Sequence, residues 1–474
     1  MRIGIVAEGS YPYVRGGVAS WVHMLIAQMP EHTFTIISIM PGDFKEVGTY
    51  KYDLPSNVDE IITYRLGEPT FENINTNLTK EEEQNLLEWF RFERYGRGAF
   101  SLLGNVHKLG SMDEFFHSRS FWEIVQKSYE AEKQSSSFLE YFWMFKSMYT
   151  PIINLLQRTY PKVDVIHSVS TGYAGLIGAY MKETQKVPYI LTEHGIYSRE
   201  REEEILQADW IPSVYKSRWI NYFHHISMQA YDKADDIITL FEKNSYHQKL
   251  IGAPEKKFSI IPNGIEIEKY MTVKRESETE DQFHIGAIVR VVPIKDVKTM
   301  IYAARMLADD EISFFLTIMG PLDEDEDYAE ECLQLIKRLK LEGYVSLAGQ
   351  VNVLDYLSKF DLLLLSSISE GQPLAVLEGM AAGIPWVTTD VGSCSELLYG
   401  LHDPYGQAGF IVPPVNPREM ADKCKWFAEN RREGILFGEN GRKRAIHLYQ
   451  LSEVIKKYRE IYKKRGEQYG RYWV

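Results

Sequence analysis

A chain of 474 residues is too long for one ordinary hydrophobic core, so we expect two or three domains. Its composition, 45% hydrophobic and 25% charged, is that of a folded protein and excludes global disorder. The net charge of -13 disfavours nucleic acid or an anionic membrane as the main partner, because both bind positively charged surfaces.

The cysteines and the apolar runs indicate the cellular compartment of the protein. Cys332, Cys394 and Cys424 lie far apart and form no CxxC pattern, which favours neither a disulfide framework nor a zinc site. The N-terminal run is too short for a secretory signal, and no stretch reaches about 18 apolar residues. We therefore expect a cytoplasmic protein without a membrane span.

Short β-rich runs alternate with loops and helical periods in the first part of the chain. Arg2–Glu8 predicts a strand, Ser10–Gly17 a loop and Val18–Met29 a helix. Runs this short and apolar are typical of buried parallel strands. Further strands of this kind are predicted at Phe34–Ile39, Val163–His167, Pro188–Thr192, Asp236–Leu240 and Phe258–Ile261.

The same alternation starts again in the second part of the chain. Its predicted strands are His284–Arg290, Ser313–Met319, Val345–Leu347, Asp361–Leu365, Trp386–Thr389 and Gly409–Val412. Alternating strands and helices imply doubly wound parallel sheets, here two of them. The charged stretch Glu266–Gln282 separates the two sets, so we predict a first domain over residues 1–265 and a second over 266–451.

Two helical regions stand outside this pattern. Residues 67–150 include KEEEQNLLEWFRFERYGRG and SSSFLEYFWMFKSMYTP, which predict a helical insertion in the first domain. We interpret its helically spaced aromatic residues as core packing: Phe138, Tyr141, Phe142, Trp143 and Phe145. A basic C-terminal helix over residues 452–474 is predicted to pack on the first domain, and its charges favour a solvated face over a lipid contact.

The segment SEGQPLAVLEGMAAGIP, residues 369–385, holds two glutamates near a predicted helix start. Pro373 suits the first helical position and Gly383 the end, so Glu370 falls in the preceding loop and Glu378 in the second turn. Free backbone N–H groups at a helix start attract anions. A diphosphate there, with a hydroxyl-rich ring at each end, would place one ring at each carboxylate. Glu370 alone could merely complement the helix dipole.

Two cations follow the first strand of the second domain. Arg290 ends the predicted strand, and Lys295 lies in the loop VVPIKD before the next helix. Such cations suit a diphosphate that gains charge as it leaves, and each charge-assisted hydrogen bond contributes about 1.5–3 kcal/mol. The alternative is a pair of surface cations bonded to nearby carboxylates.

These motifs resemble a known family. Arg290 and Lys295, then EGQPLAVLE, resemble the donor site of the retaining glycosyltransferases of family 4, and Pro262-Asn263-Gly264-Ile265 is similar to the same family. The resemblance implies the GT-B fold, in which two Rossmann-like parallel-sheet domains face a cleft. It implies that Glu370 holds donor-sugar hydroxyls, that Glu378 holds the ribose, and that no metal ion or other cofactor is required.

The resemblance also implies further contacts with the donor. The catalytic set would be His194, Arg290, Lys295 and Glu370, with His194 matching a histidine that contacts the donor sugar. Arg290, Lys295, Glu370 and Glu378 would also bind the donor. The other implied donor contacts are Gly17, Gly320, Val351, Leu354, Gly371, Gln372, Pro373 and Leu374, with the base near Val351 and Leu354. We expect Gly16 and Gly17 to form a close-approach turn at the first helix start.

The first domain is similar to a narrower group. EGSYPYVRGGV at Glu8–Val18, EHGIYSRER at Glu193–Arg201 and the helical insertion resemble the PelF group of family 4, which acts in Pel exopolysaccharide synthesis. This resemblance implies UDP-glucose as donor and a growing glycan as acceptor. It also allows a membrane-embedded partner that recruits the protein to the inner membrane face. The spacing of residues by itself selects neither uracil nor glucose.

Two other functions remain open. A UDP-sugar epimerase of the same fold would isomerise its substrate without an acceptor, and a non-catalytic sugar-nucleotide-binding protein would release no nucleotide. The complete set Arg290, Lys295, Glu370 and Glu378 favours the transferase. No GxGxxG, P-loop or HExxH pattern occurs, so dehydrogenase, NTPase and zincin functions lack support.

Overall fold

The computed structural model describes residues 1–68, 73–93, 98–132, 136–273 and 282–470. They form two compact units, each with its own hydrophobic core. The first unit comprises Met1–Thr239, Asn244–Ile260 and the chain from Lys457; the second comprises Leu240–Lys243 and Ile261–Lys456. The junction at Ile260 and Ile261 lies close to the predicted boundary at residue 265. Parts of the predicted linker (274–281), insertion (69–72, 94–97, 133–135) and C-terminal helix (471–474) lie outside the described residues.

The first unit contains a seven-stranded parallel sheet of order β3-β2-β1-β4-β5-β6-β7. Its strands are β1 Arg2–Glu8, β2 Thr33–Met40, β3 Val58–Arg65, β4 Val165–Ser168, β5 Tyr189–Glu193, β6 Asp236–Thr239 and β7 Phe258–Ile260. The predicted strands are confirmed within two residues, but β3 was not predicted. It lies at the sheet edge, carries Asp59 and Glu60, and is half-exposed, so it lacks the apolar run of a buried strand.

Helices surround this sheet, and some of them form the predicted insertion. They are α1 Gly17–Ala27, α2 Lys80–Phe90, α3 Ala99–Leu103, α4 Val106–Leu109, α5 Met112–His117, α6 Arg119–Glu132, α7 Phe138–Leu156, α8 Gly172–Gln185, α9 Tyr197–Gln207, α10 Ser213–Lys233 and α11 Glu242–Ile251, with a 3₁₀ turn at Glu255–Lys257. The insertion consists of α2–α7. Two of its helices begin with complete capping boxes, Thr79 with Glu82 and Ser137 with Glu140, which satisfy free N–H groups of the first turn.

The core-packing interpretation of the insertion holds for only some of its aromatic residues. Tyr141 and Phe145 are fully buried, and Phe138 and Phe142 are partly buried against the core. The interpretation is wrong for Trp143, which is 58% exposed. Residues two apart on a helix do not face the same side, so Trp143 cannot share the buried face of Tyr141 and Phe145.

The second unit contains a six-stranded parallel sheet of order β10-β9-β8-β11-β12-β13. Its strands are β8 Phe283–Ile288, β9 Phe314–Met319, β10 Val345–Gly349, β11 Leu362–Leu365, β12 Trp386–Thr389 and β13 Gly409–Val412. The helices are α12 Ile267–Met271, α13 Val297–Asp309, α14 Glu326–Arg338, α15 Leu354–Leu357, α16 Leu374–Ala382, α17 Cys394–Tyr399, α18 Pro417–Glu429, α19 Arg431–Leu448 and α20 Leu451–Gln468, with a 3₁₀ turn at Pro293–Lys295. Helix α20 continues from this unit into the first.

The end of α20 packs on the first unit. Tyr462 Oη and His167 Nδ1 are 2.7 Å apart, and the guanidinium of Arg465 donates to both carboxylate oxygens of Asp236 at 2.5 and 2.7 Å. The basic side chains of this helix therefore differ in role. Arg465 is paired at the start of β6, whereas Lys456 and Lys463 are mostly exposed.

Each sheet reverses its strand order beside its first strand, between β1 and β4 and between β8 and β11. In doubly wound sheets ligands bind outside the carboxyl ends of the strands at such a switch point. The loops that follow these four strands are therefore the places where a functional site is expected in each unit.

Buried histidines of the first unit predict a loss of stability in acid. Burial lowers the pKa of His167 to about 3, of His225 to about 3 and of His194 to about 4. Because these rings stay neutral when folded but bind protons when unfolded, their contribution to stability falls as pH drops below 6.5, by roughly 1.4 kcal/mol per pH unit for each. Buried carboxyl groups with a raised pKa, such as Glu193, act in the opposite direction. Urea unfolding at pH 7 and 5 measures this. His167→Gln should lose less stability than the wild type between pH 7 and 5, and an identical loss in the two proteins would contradict the prediction.

Candidate functional site

Lys295 and Glu370 meet at the switch point of the second unit. Strand β8 leads through Arg290 to the turn that ends at Lys295, and neighbouring β11 leads to the loop that holds Glu370. Lys295 Nζ lies 2.5 Å from Glu370 Oε1, with the two side chains only 17% and 10% exposed. A lysine and a carboxylate 75 positions apart in sequence are thus joined at the expected place.

Hydroxyl side chains hold this ion pair in position. Ser367 Oγ donates to Glu370 Oε1 at 2.6 Å, and Ser366 Oγ donates to the carbonyl oxygens of Lys295 and Asp296 at 2.9 and 2.8 Å. Thr389 Oγ1 donates to the Ser367 carbonyl at 2.7 Å. Sequence reasoning missed these residues, although two serines directly after a wholly buried strand were a usable signal.

Helix α16 follows the Glu370 loop. It begins at Leu374, so Pro373 is its N-cap, in an extended conformation (φ -72°, ψ 117°), and not its first helical residue as predicted. The difference is one position, because an extended ψ at Pro373 precedes the first helical residue. The predicted end at Gly383 is confirmed by its left-handed conformation (φ 76°).

Glu378 lies in the second turn of α16, as predicted, but its partner was missed. It is half-buried, and the Tyr270 hydroxyl of α12 and Lys269 lie nearby. Burial raises the pKa of Glu378, while Tyr270 and Lys269 oppose that rise. Tyr270 is far away in sequence and only the packing of α12 against α16 brings it to the carboxylate.

Arg290 lies apart from the ion pair. It is 46% exposed, and its Nη1 donates to Glu324 Oε2 at 2.7 Å. The alternative of a cation bonded to a nearby carboxylate therefore describes Arg290 in this structure. The more buried Lys295 is the cation that contacts a predicted site residue.

The remaining predicted residues of the second unit lie in the loops that follow the strands or, for Leu354 and Leu374, at the first residue of the next helix. Gln372 is held by Asn263 of the PNGI turn, whose N donates to Gln372 Oε1 at 2.6 Å and whose Nδ2 donates to Gln372 O at 3.2 Å. Gly320 has a φ of 155°, and a Cβ there would collide with the carbonyl oxygen of Val289. Val351 and Leu354 follow β10, where Leu354 is exposed.

Gly392 supports the Glu370 loop from the neighbouring strand end. It has a φ of 52°, and a Cβ would collide with the carbonyl oxygens of Gly371 and Glu370. We expect Gly392→Ala to lower the free energy of unfolding by at least about 1–2 kcal/mol, the usual strain of a left-handed residue, and to displace Glu370. Thermal unfolding measures this. Gly343→Ala is the control, since a Cβ there meets no described atom within 4 Å; equal effects of both changes would contradict the prediction.

His194 and Gly17, the predicted residues of the first unit, flank its switch point. His194 follows β5, packs edge-on against Trp21 at 4.7 Å between centroids, and lines a cavity. Gly17 is the first residue of α1, where a Cβ on Gly16 or Gly17 would meet no described atom within 4 Å. Gly16 is extended (φ 171°) and Gly9 takes the left-handed conformation (φ 58°), while the close-approach turn at Gly16 and Gly17 stays a prediction.

A buried carboxylate fixes the loop that carries His194. Glu193 accepts hydrogen bonds from Tyr231 Oη at 2.5 Å, Gln248 Nε2 at 2.7 Å and Thr171 Oγ1 at 3.0 Å. Burial raises the pKa of this carboxyl group. In the sequence, Glu193 is recognisable only as part of the EHGIYSRER motif. The neighbouring residues do not show that three distant side chains converge on it.

The described residues contain neither a metal-binding cluster nor a membrane-spanning helix. In the part of the chain that the structure describes, no three His, Cys, Asp or Glu side chains are arranged to hold a metal ion. Over the same residues, no helix has the length and apolar character needed to cross a membrane.

Two family models match the chain. Residues 1–256, more than half of its length, match the model described as a domain of unknown function, DUF3492. Residues 271–444 match the model described as glycosyl transferases group 1, which covers the Lys295–Glu370 pair.

Curated relatives are distant. An MMP alpha-(1->4)-mannosyltransferase of Mycolicibacterium hassiacum is 23% identical over 316 residues, covering 64% of this chain and 70% of that protein. An N-acetyl-alpha-D-glucosaminyl L-malate synthase of Bacillus anthracis is 28% identical over 221 residues, covering 44% of this chain and 54% of that protein. The chain thus spans between about half and 70% of the length of these relatives.

Solved structures of similar fold cover nearly the whole chain. Alr3699/HepE of Anabaena, crystallised with UDP, has a TM-score of 0.60 at 15% identity over 97% of this chain and 99% of that one. TarM has a TM-score of 0.55 at 13% identity over 97% and 98%. With the two parallel sheets, these likenesses show the GT-B fold. The chain therefore belongs to the DUF3492 family and, with its group 1 domain, is a glycosyltransferase.

Proposed function

We propose that the protein is a retaining glycosyltransferase that moves a hexose from a UDP-sugar to a glycan acceptor. Glucose is the hexose that we favour. The observation that carries the proposal is the Lys295–Glu370 pair, held at the β8–β11 switch point inside the group 1 domain. HepE of Anabaena, of similar fold, was crystallised with UDP-glucose, which supports this donor class.

In the proposal, the donor diphosphate lies between Lys295 and the N-terminus of α16. Free backbone N–H groups of that helix start donate to phosphate oxygens, and Lys295 and Arg290 neutralise the charge that develops on the leaving group. Both cations have carboxylate partners in the structure, Glu370 and Glu324, and these ion pairs would give way to the phosphates. Cations then supply the stabilisation that a metal ion supplies elsewhere.

In the proposal, each of the two glutamates binds one end of the donor. Glu370, once Lys295 turns to the diphosphate, accepts hydrogen bonds from hydroxyls of the transferred sugar. Glu378, beside Tyr270, accepts from the ribose. Gln372 acts by fixing the loop through Asn263, while the backbone of Gly371 and Leu374 meets the ligand.

The reaction exchanges one bond at the anomeric carbon. The bond from that carbon to the UDP phosphate oxygen breaks, and a bond to the acceptor oxygen forms on the same face. The acceptor proton passes to the departing phosphate oxygen. The role beside the donor sugar that the resemblance implies for His194 stays a prediction, and its lowered pKa, about 4, leaves the ring neutral at pH 7.

We also propose a role in exopolysaccharide synthesis of the Pel type, in the cytoplasm and recruited by a membrane-embedded partner. The motifs EGSYPYVRGGV and EHGIYSRER support this finer assignment. Several of the curated relatives also act in surface-polysaccharide synthesis by name, such as the putative colanic acid glycosyltransferase WcaL of Escherichia coli.

Nucleotide release from a donor panel tests the proposal. We expect the purified protein to release UDP from one UDP-sugar, by transfer or slow hydrolysis, and not to release GDP from GDP-sugars. An isomerised UDP-sugar formed without acceptor would identify an epimerase instead. Tight UDP-sugar binding with no release, even with acceptor glycans present, would identify a non-catalytic binding protein.

A further inference from the structure

Glu370 uses one of its two carboxylate oxygens for its hydrogen bonds within the protein. Oε1 accepts from Lys295 Nζ at 2.5 Å and from Ser367 Oγ at 2.6 Å. Oε2 has no hydrogen-bond partner among the residues that the structure describes, yet it is not sealed from solvent. Because an ionised carboxylate accepts hydrogen bonds on both oxygens, Oε2 is the oxygen that remains for a ligand.

Ser367 is itself held by the sheet. It lies two positions after the end of β11 and is fully buried. Its carbonyl oxygen accepts from Thr389 Oγ1, at the end of the neighbouring strand β12, at 2.7 Å. A hydroxyl that is buried and anchored in this way keeps its direction, so Ser367 presents Oγ to Glu370 from a fixed place.

The backbone of the Lys295 loop is fixed independently of the Lys295 side chain. Ile368 N donates to the Ile294 carbonyl at 2.9 Å, and Ser366 Oγ donates to the carbonyls of Lys295 and Asp296 at 2.9 and 2.8 Å. None of these three bonds involves the ammonium group. Lys295 Nζ can therefore turn to a diphosphate while its own loop and the Glu370 loop stay in place.

The bond from Ser367 becomes the main support of Glu370 once Lys295 has turned away. The carboxylate is only 10% exposed, and a buried charge without hydrogen-bond donors is costly. Of the two described hydrogen bonds to this carboxylate, the one from Ser367 is retained. A bond to Oε1 also limits rotation of the carboxylate, so Oε2 keeps its direction while a donor sugar is bound.

We infer that Ser367 is a positioning residue for the transfer, which holds Oε1 of Glu370 so that Oε2 faces the hydroxyls of the transferred sugar. The inference rests on the proposed function. It adds to that function a residue that acts through Glu370 and the oxygen of Glu370 that serves the donor. Ser367 itself contacts neither the sugar nor the nucleotide, so its effect should appear in turnover and not in UDP affinity.

Ser367→Ala tests the inference, with the best UDP-sugar of the donor panel as substrate. We expect turnover, measured as UDP release, to fall at least about tenfold, the effect of losing one hydrogen bond to a charged group. UDP affinity, measured by calorimetry, should stay within about twofold, because only a collapse of the loop would move Lys295 as well. Turnover equal to that of the wild type, or an equal loss of turnover and UDP affinity, would overturn the inference.

Two further variants separate the hydroxyl from its surroundings. Ser369→Ala makes the same change at an exposed position of the same loop and should leave turnover and UDP affinity unchanged. Ser367→Cys fills nearly the same space but is a weak donor, so it should be as slow as Ser367→Ala. Wild-type turnover by Ser367→Cys, or a loss in Ser369→Ala as large as in Ser367→Ala, would contradict a role of the Ser367 hydroxyl.

A double variant tests whether Ser367 acts through Glu370. In a Glu370→Ala protein, Ser367→Ala should cause no further loss of turnover, because its target is already absent. A further loss as large as in the wild-type background would overturn the inference. A wild type that releases UDP from no UDP-sugar would overturn the proposed function and this inference with it, whereas wild-type release that Ser367→Ala leaves unchanged overturns the inference alone.

Discussion

Lys295→Ala is expected to weaken the binding of UDP and of UDP-glucose alike, by about 10- to 100-fold. The change removes a charge-assisted bond to the diphosphate, which contributes about 1.5–3 kcal/mol. It also leaves Glu370, only 10% exposed, without its cation and facing the phosphates. Both effects act on a group that the two ligands share, so both affinities should fall together in titration calorimetry.

Lys298→Ala is the matched control for this change. Lys298 lies three positions farther along the chain and bonds Glu331 Oε2 at 2.6 Å, away from Glu370. Its removal costs the protein the same formal charge but should leave UDP affinity unchanged. A Lys295→Ala protein that binds UDP as tightly as the wild type would contradict the phosphate role of Lys295.

Glu370→Ala is expected to lower turnover of UDP-glucose by roughly 100-fold while UDP affinity stays within about threefold. Glu370 is proposed to contact only the transferred sugar, and the loss of such charged hydrogen bonds costs about 1.5–3 kcal/mol. Its removal also frees Lys295 from the ion pair, which favours the diphosphate. Steady-state UDP release and calorimetry with UDP separate the two quantities.

Glu378→Gln, in helix α16 just after the Glu370 loop, is expected to lower UDP affinity, which Glu370→Ala should spare. Because Glu378 is proposed to hold the ribose, which UDP and UDP-glucose share, this change should weaken the binding of both ligands equally. Gln keeps the side-chain shape beside Tyr270. If Glu370→Ala weakens UDP as much as Glu378→Gln does, the division of roles between the two glutamates is wrong.

Most of the fold could be predicted because it rests on local patterns. Buried parallel strands such as Leu362–Leu365 are continuous apolar runs, and Gly383 marks a helix end by its conformation. Strand β3 was not predicted because an exposed edge strand needs no continuous apolar run. Trp143 was misassigned because it was grouped with Tyr141 and Phe145, although it is two positions from each and therefore lies on another face of the helix.

The site could be predicted only as a set of residues, without their partners. Lys295 and Glu370 were found through motifs, but their pairing depends on β8 and β11 being neighbours in the sheet. Tyr270 beside Glu378 and Asn263 on Gln372 depend in the same way on tertiary packing. The cavity around His194 combines residues from seven separate segments between Glu8 and Phe223, so no window of sequence shows it.

UDP release from UDP-glucose, measured with EDTA present for the wild type and for Glu370→Ala, tests the central claim most directly. We expect metal-independent release by the wild type that falls at least tenfold in the variant, with UDP binding retained in both. Equal release by the two proteins, or release abolished in the wild type by EDTA, would contradict a donor site built on Lys295 and Glu370.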